Sequence, residues 1–445
     1  MYIVAAIIAL VVVNVLDGSL ATLVSSLMVF ILCLWSSRGG KTDEARENWK
    51  KVFGVVFPIY ILSAYIFSLS FADGGYFYVN DPQRYLQRFL SVRSWSWDYF
   101  WNSLYECYFG LSDSNALYNS TLESIAYIGN VYLGGATVFY ITLIQTLFGI
   151  LCSLEIYKIF VKYLPPKKSS KYAIIIALLS CFMMYSCVII RDIVITYFYI
   201  LGFKIVLRES KTFDVFKLGL YFVIILGLRL YSGLFFGVII MFWVYKLAKS
   251  RNTSLKVLMV PIALAAGIFL VTSFISQGIL EQTEEEMELY DELSSGRGNF
   301  SNRMRELPAG MSHIVLIMFT QARLDPYGNF GIAQSFSNFY MSLDVVFLSF
   351  FTFITFYALF YYLFFKGGYA KLSSDDKMLF WISILFLALN TSHIDIRRVM
   401  GVLPFLYLLY ARFNNMYPRR VVRDVNYFMF SAYFVITLGY FVLRG

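Results

Sequence analysis

Residues 189–233 read IIRDIVITYFYILGFKIVLRESKTFDVFKLGLYFVIILGLRLYSG, and this stretch decides the architecture. Two apolar runs are separated by a short charged turn, and an arginine stands at the far end of each run: Arg191 at the start and Arg229 at the end. An ionisable residue at membrane depth is costly unless it is paired or faces water, so it marks a candidate functional site. The alternative is that each arginine simply reaches from a helix end to the lipid headgroups. The membrane face that the two arginines occupy decides between these interpretations.

The composition is that of a polytopic membrane protein. Of 445 residues, 59% are hydrophobic, 19% aromatic and 15% charged, whereas soluble domains carry about 25% charged residues. Most of the net charge of +9 falls in short loops between apolar runs, where it sets topology. We therefore expect an all-α protein of about 13 transmembrane helices in a single integral membrane domain. That domain covers residues 1–445, and no nucleic-acid partner is expected.

The basic loops predict which segments share a side of the membrane. Lysine and arginine concentrate in short cytoplasmic loops, and strongly basic segments occur at 38–51, 162–171, 246–256 and 412–423. The same parity places two long loops, 72–130 and 277–335, on the outer face, together with the segment 390–398. The first of these loops is rich in Tyr and Trp, which suits interfacial helices. Some of these aromatic rings could instead stack on sugars.

Arginines are numerous on the predicted outer face, where few basic residues are expected. A guanidinium group binds phosphate oxygens bidentately and stays charged at any physiological pH. The arginines therefore predict a site for the phosphate or diphosphate headgroup of a lipid. For those in the second loop, salt bridges to the acidic run 281–292 are the alternative. The outer arginines are Arg191, Arg229, Arg297, Arg303, Arg305, Arg323, Arg397 and Arg398.

Transfer of a glycan from a lipid diphosphate to a sugar hydroxyl needs two kinds of side chain. Negative charge builds up on the departing diphosphate, and arginines can stabilise it in the place of a metal ion. The attacking hydroxyl must lose its proton to a carboxylate or an imidazole. Arg191 and Arg229 are predicted to contact the diphosphate because rigid helices hold them. The loop arginines Arg297, Arg303 and Arg323 are predicted to assist.

The candidate bases also have structural interpretations. Asp81 and Asp325 each precede a proline and can start a turn. Asp395 can pair with Arg397 or Arg398. Spacing alone does not rank the candidates, which are Asp81, His313, Asp325 and Asp395.

Three short motifs resemble those of the bacterial O-antigen and exopolysaccharide repeat-unit polymerases. They are Asp81-Pro-Gln-Arg84-Tyr85, Arg191-Asp-Ile-Val-Ile-Thr-Tyr and Arg229-Leu-Tyr231-Ser-Gly. The resemblance covers most of the chain as topology, and only these motifs as residues. A His-Ser pair is common in that family where this chain has Tyr231-Ser232. That departure leaves a catalytic role at this position open.

The resemblance implies an all-helical glycosyltransferase of the bacterial inner membrane. Such an enzyme polymerises polyprenyl-diphosphate-linked repeat units at the outer face, with a flippase and a chain-length regulator as partners. The resemblance also favours Asp81 as the general base. The sequence carries no HExxH, paired-cysteine, P-loop or dinucleotide motif, so no metal and no cofactor is expected.

Three other functions stay open at this point. A ligase that moves a finished glycan to another acceptor would share every feature named so far. A transferase that uses a polyprenyl-monophosphate donor is close in chemistry, but many such enzymes carry an acidic motif in a large loop after the first span. Here that loop is only the turn Asp17-Gly18-Ser19. A flippase or other transporter should show internal repeats, short loops on both sides and charges at the midplane.

Overall fold

The computed structural model describes most of the two halves of the chain, with gaps between them. The described residues are 2–36, 42–72, 86, 88–109, 116–208, 211, 213–251, 347, 350–389 and 399–444. In these ranges every regular element is a helix and none is a strand. The predicted all-α fold is therefore confirmed for the described ranges.

The helices follow one another with short connections. The first eight are α1 (Tyr2–Asp17), α2 (Leu20–Trp35), α3 (Asp43–Ala72), α4 (Trp97–Phe109), α5 (Ala116–Tyr132), α6 (Val138–Phe160), α7 (Pro166–Leu179) and α8 (Cys181–Ser186). The next three are α9 (Asp192–Val206), α10 (Asp214–Leu228) and α11 (Leu230–Arg251). In the second half lie α12 (Phe350–Phe365), α13 (Ser374–Leu389), α14 (Leu403–Met416) and α15 (Arg419–Arg444). The last turn of α12, Tyr361–Phe365, is π-helical.

Several helices have the composition of membrane spans. Asp43–Leu69, Val138–Phe160 and Arg419–Leu438 are long and apolar enough to cross a membrane. Others, such as α1 with 16 residues, are apolar but shorter. A helix of that length rises about 24 Å, less than the hydrocarbon thickness of about 30 Å. Membrane association is thus supported, while the expected total of about 13 spans stays a prediction.

The first two helices form the hairpin that the sequence predicts. α1 ends at Asp17, α2 begins at Leu20, and Gly18 between them has φ +66°, which a residue with a Cβ rarely adopts. Asp17 Oδ2 accepts hydrogen bonds from Thr22 Oγ1 at 2.6 Å and from Thr137 Oγ1 at 3.2 Å. Thr137 is also the N-cap of α6, where its side chain accepts from Tyr140 N. One carboxylate therefore joins the hairpin to the start of α6.

The core is built around α3 and α6. α3 packs against α1, α6 and α7, and most of α6 is buried. A helix that is apolar on every side belongs inside a bundle, and small residues let its neighbours approach closely. At Gly149 of α6 a Cβ would stand 1.8 Å from Ser186 Oγ of α8. The absence of a side chain at Gly149 therefore sets the distance between α6 and α8.

The four basic segments meet at one end of the helix bundle, which we call the basic end. Ser170 Oγ donates to Asn48 Oδ1 at 2.9 Å, and Lys168 Nζ donates to Asn415 Oδ1 at 2.5 Å. The salt bridges Arg412–Asp376 and Lys246–Asp375, each 2.9 Å, continue the same network. The turns 207–213 and 366–373 also lie there, since Lys246 Nζ donates to Val206 O and Tyr417 OH donates to Lys366 O. Segments that the sequence assigns to one side of the membrane are thus adjacent in space.

Gly149→Ala should destabilise the protein by about 1–3 kcal/mol, because the added methyl overlaps Ser186 in a packed interior. The measurement is the free energy of unfolding in a mixed-detergent titration. Gly219→Ala in α10 is the matched control, since a Cβ there meets nothing within 4 Å. Adding Ser186→Gly should restore part of the loss. Equal stability of Gly149→Ala and Gly219→Ala would contradict the close contact of α6 with α8.

Candidate functional site

The chain that the sequence predicts as one span before Arg191 is interrupted twice. α7 stops at Leu179, and α8 begins after Ser180, whose hydroxyl accepts from Phe182 N at 3.3 Å. α8 itself ends at Ser186, and α9 begins at Asp192. The residues between, Cys187, Val188, Ile189 and Ile190, are all buried and not helical. Non-helical backbone at membrane depth is tolerated only inside protein or beside a water-filled cavity.

Neighbouring helices supply the hydrogen bonds that this interruption requires. Thr146 Oγ1 of α6 donates to Ser186 O at 3.0 Å, at the end of α8. The thiol of Cys187 lies 3.8 Å from Tyr60 O of α3. Tyr60 OH in turn donates to Ala177 O of α7 at 2.7 Å. The core helices α3 and α6 therefore hold the non-helical segment in place.

A second interruption lies at Arg229, between α10 and α11. Arg229 has φ −163° and ψ 115°, so its backbone is extended between two helices. Its N–H donates to Ile225 O at 2.8 Å and closes α10, while its carbonyl accepts from Gly233 N at 3.0 Å in the first turn of α11. A Cβ at Gly233 would stand 2.7 Å from the Leu226 Cα, so α10 and α11 pack closely there. The extended residue directs the Arg229 side chain away from the helical register of both neighbours.

An ion pair joins the two interruptions. Arg229 Nη1 lies 2.5 Å from Asp192 Oδ1, and the two side chains are 15% and 1% exposed. Asp192 is the first residue of α9, where a negative charge also interacts favourably with the helix dipole. A guanidinium group has five N–H donors, so the bond to Asp192 leaves donors for another ligand. The pair fixes a cation beside the first turn of α9.

Arg191 stands directly before this pair. It is the N-cap residue of α9, it is partly buried, and its carbonyl accepts from Ile195 N at 3.1 Å. Because Arg229 contacts Asp192, the structure places Arg229 next to the residue that follows Arg191. The two arginines that the sequence analysis chose for the diphosphate therefore lie at neighbouring helix ends.

The ion pair is recessed from the far surface of the bundle. α9 and α10 each have 15 residues and are antiparallel neighbours that meet at the turn 207–213 of the basic end. A helix of 15 residues rises about 22 Å, which is less than the hydrocarbon core of about 30 Å. Asp192 and Arg229 thus lie in the half of the bundle opposite the basic end. Below them Tyr199 is fully buried, and its hydroxyl donates to Ser232 O at 2.6 Å.

Side chains of the first long loop form a second charged contact. Arg88 pairs with the buried Glu123 of α5, and Arg88 Nη2 donates to Tyr99 OH at 3.2 Å. Burial acts to lower the pKa of Arg88, but the Glu123 carboxylate and the Tyr99 hydroxyl outweigh it, and the pKa is raised. Arg88 therefore stays charged at every physiological pH.

Aromatic rings dominate the surface of α4. The Trp95 and Trp97 rings are 5.0 Å apart in an edge-to-face arrangement, and Phe100 contacts both. Trp97 and Trp101 are 64% and 60% exposed. Amphipathic rings of this kind suit either a membrane interface or the stacking of sugar rings.

Many of the residues predicted for the site lie outside the described ranges. Tyr231 is in α11, but only its backbone is described. The predicted site residues that lie outside are Asp81, Arg84, Tyr85, Arg297, Arg303, His313, Arg323, Asp325, Asp395, Arg397 and Arg398. Their roles stay predictions.

Sequence analysis missed two buried charge contacts. Asp192 was quoted only as the neighbour of Arg191, although it is the partner of Arg229, 37 residues further on. The buried Glu155 of α6 accepts from Lys158 and from Lys204 of α9, both at 2.5 Å. A signal existed in each case, since an acid within an apolar run needs a cation. The sequence could not say which cation.

No metal site can be built from the described residues. Among them, no three His, Cys, Asp or Glu side chains are grouped closely enough to hold an ion. Comparison of the chain with family models, with characterised proteins and with solved structures finds no match.

Asp192→Asn should lower the free energy of unfolding by about 3 kcal/mol, because it leaves the sheltered Arg229 charge without its carboxylate. The double variant Asp192→Leu with Arg229→Met should recover most of that loss, since a matched apolar pair needs no charge compensation. Detergent titration of the purified proteins measures both. The control is Asp43→Asn, which removes a pair whose side chains are 98% and 61% exposed and should change nothing measurable. An Asp192→Asn variant as stable as the control would contradict the buried pair.

Proposed function

We propose that this protein is a glycosyltransferase of the bacterial cytoplasmic membrane that polymerises polyprenyl-diphosphate-linked oligosaccharide repeat units. The observation that carries the proposal is the ion pair of Arg229 with Asp192, which fixes a guanidinium group at two facing helix interruptions. The site is far from the basic end and within reach of a lipid headgroup. The motif resemblance of Asp81-Pro-Gln-Arg84-Tyr85 and of the segments around Arg191 and Arg229 supports the same class.

The proposed orientation places the basic end in the cytoplasm. Short loops rich in lysine and arginine are retained on that side, and the four basic segments lie together in the structure. The Arg229 site is then in the outer half of the membrane. The loops 72–130 and 277–335 lie on the outer face, with about 13 spans in all. This is the side on which lipid-linked repeat units would be polymerised.

The proposed chemistry separates binding of the leaving group from activation of the acceptor. Arg229, held by Asp192, and Arg191 bind the diphosphate of the donor lipid. The anomeric C–O bond to the diphosphate breaks as the acceptor hydroxyl forms a new glycosidic bond, and the departing oxygens gain charge next to the guanidinium groups. Preorganised cations of this kind cost no reorganisation during the reaction. Arg297, Arg303, Arg323, Arg397 and Arg398 are proposed as further contacts from the outer loops.

A general base must accept the proton of the acceptor hydroxyl. We assign this role to Asp81, on the strength of the motif that contains it. His313, Asp325 and Asp395 are the other candidates on the outer face. The proton passes to that base as the glycosidic bond forms, and the products are a lengthened lipid-linked glycan and a free polyprenyl diphosphate. A flippase that supplies repeat units and a regulator of chain length are the implied partners.

A transporter is the second candidate, and one observation favours it. Interrupted helices that face each other are typical of transport proteins, in which the free helix ends bind the substrate. The interruptions at residues 187–191 and at Arg229 have that form. A ligase, which uses the same donor lipid and another acceptor, would share the arginine site. Product formation separates all three functions.

Purified protein in detergent, given only lipid-linked repeat units and excess chelator, should produce a ladder of longer lipid-linked glycans. The reason is that arginines, rather than a bound cation, stabilise the leaving diphosphate. Gel electrophoresis of the labelled lipid-linked glycans measures the ladder. A transporter gives no ladder with or without chelator, and a ligase gives one only with its own acceptor. A ladder that chelator abolishes would overturn the role assigned to the arginines.

Arg229→Lys and Arg191→Lys should each reduce ladder formation by about 100-fold, because lysine offers a point charge in place of the planar fork that matches phosphate. Lysine at 229 keeps a positive charge for Asp192, so membrane abundance and stability should stay near those of the wild type. Initial rates of ladder formation, with protein amounts normalised, provide the measurement. Arg46→Lys, on the exposed start of α3 at the basic end, is the matched control and should retain full activity. Wild-type rates in both site variants would exclude diphosphate binding by these arginines.

A further inference from the structure

A cavity of about 370 Å³ opens between α12 and α15 at the basic end of the bundle. Its apolar wall is formed by one tyrosine of α12 and a stripe of α15. Its charged residues are one lysine and one aspartate. The lining residues are Tyr361, Lys366, Val421, Asp424, Val425, Phe428 and Met429.

The π-helical turn of α12 forms one wall of the cavity. Lys366 N donates to Tyr361 O at 3.2 Å, a bond that spans five residues in place of four. Such π-turns are rare and are frequent at functional sites. Gly367, at φ +65°, ends the turn, and Tyr417 OH donates to Lys366 O at 2.9 Å. The backbone of Lys366 is thus fixed at the mouth of the cavity.

The charges around the cavity leave a net positive rim. Lys366 is exposed, and in the described part of the chain no carboxylate lies within salt-bridge distance of its ammonium group. The Asp424 carboxylate is compensated, since it lies 3.4 Å from Arg423 Nε and 4.0 Å from Arg420 Nε. Lys366, Arg420 and Arg423 together outweigh the one acid. The cavity therefore combines an apolar wall with a cationic opening.

We propose that this cavity binds an anionic glycerophospholipid. One acyl chain lies along the apolar stripe of α15, and the headgroup phosphate contacts Lys366 and Arg420. Basic residues at a membrane surface attract anionic lipids, whereas a zwitterionic headgroup gains no net attraction. The cavity lies at the end of the bundle opposite the Asp192–Arg229 pair. The lipid site is therefore separate from the donor site and does not depend on the proposed activity.

Native mass spectrometry of the full-length protein in detergent tests the proposal, with phosphatidylglycerol and phosphatidylcholine as the two probes. Phosphatidylglycerol should bind as a saturable single adduct more tightly than phosphatidylcholine. Lys366→Gln should weaken phosphatidylglycerol binding about five-fold, the effect expected for one cation at a membrane surface. Val421→Trp should also reduce binding, because its side chain fills the cavity without a change of charge.

Two controls distinguish the site from general electrostatic attraction. Lys211→Gln removes an exposed charge elsewhere at the basic end and should leave phosphatidylglycerol binding unchanged. Melting midpoints of all variants confirm that the fold persists. Equal binding of the two lipids, or equal loss in Lys366→Gln and Lys211→Gln, would overturn the proposal. So would full competition by inorganic phosphate, which would show that the cationic opening takes a free anion and needs no acyl chain.

Discussion

Hydrogen bonding of the backbone in an apolar environment is the constraint on which the rest of this structure depends. A chain in lipid must satisfy its own N–H and C=O groups, yet this chain interrupts its helices at residues 187–191 and at Arg229. The interruptions persist because hydroxyl groups of neighbouring helices bond the freed carbonyls, as Thr146 does for Ser186. The tight contact at Gly149 brings the two helices close enough for that bond. Core packing and the site are therefore one structural problem.

Charges are sorted in the same way as the backbone groups. Asp192 with Arg229, and Glu155 with Lys204, each join two helices through a buried carboxylate. Removal of one partner leaves an uncompensated charge, which is far more costly than the absence of both. Such pairs consequently fix which helices are neighbours. In the case of Arg229 the pair also holds a guanidinium group in one position, as binding of a charged headgroup requires.

The two ends of the bundle differ in chemistry, and the two proposals follow that difference. At the basic end, lysines and arginines of four segments converge, and a cavity with a cationic rim opens beside α15. At the other end, basic residues are embedded among apolar helices next to helix termini. A lipid headgroup can meet the first set at the membrane surface, whereas the second set lies below it. One protein can thus contact structural lipid and lipid-linked substrate at opposite ends.

The sequence by itself determined the helical class, the α1–α2 turn at Gly18 and the grouping of the basic segments, because composition, turn residues and charge bias are local properties. It also selected Arg191 and Arg229, since charges within apolar runs are rare. Only the tertiary structure decided that Asp192 is the partner of Arg229. It also showed that the run before Arg191 is broken into α7, α8 and a buried irregular segment. Those features depend on contacts between residues far apart in the chain, and apolar periodicity carries no information about which distant side chain completes a bond.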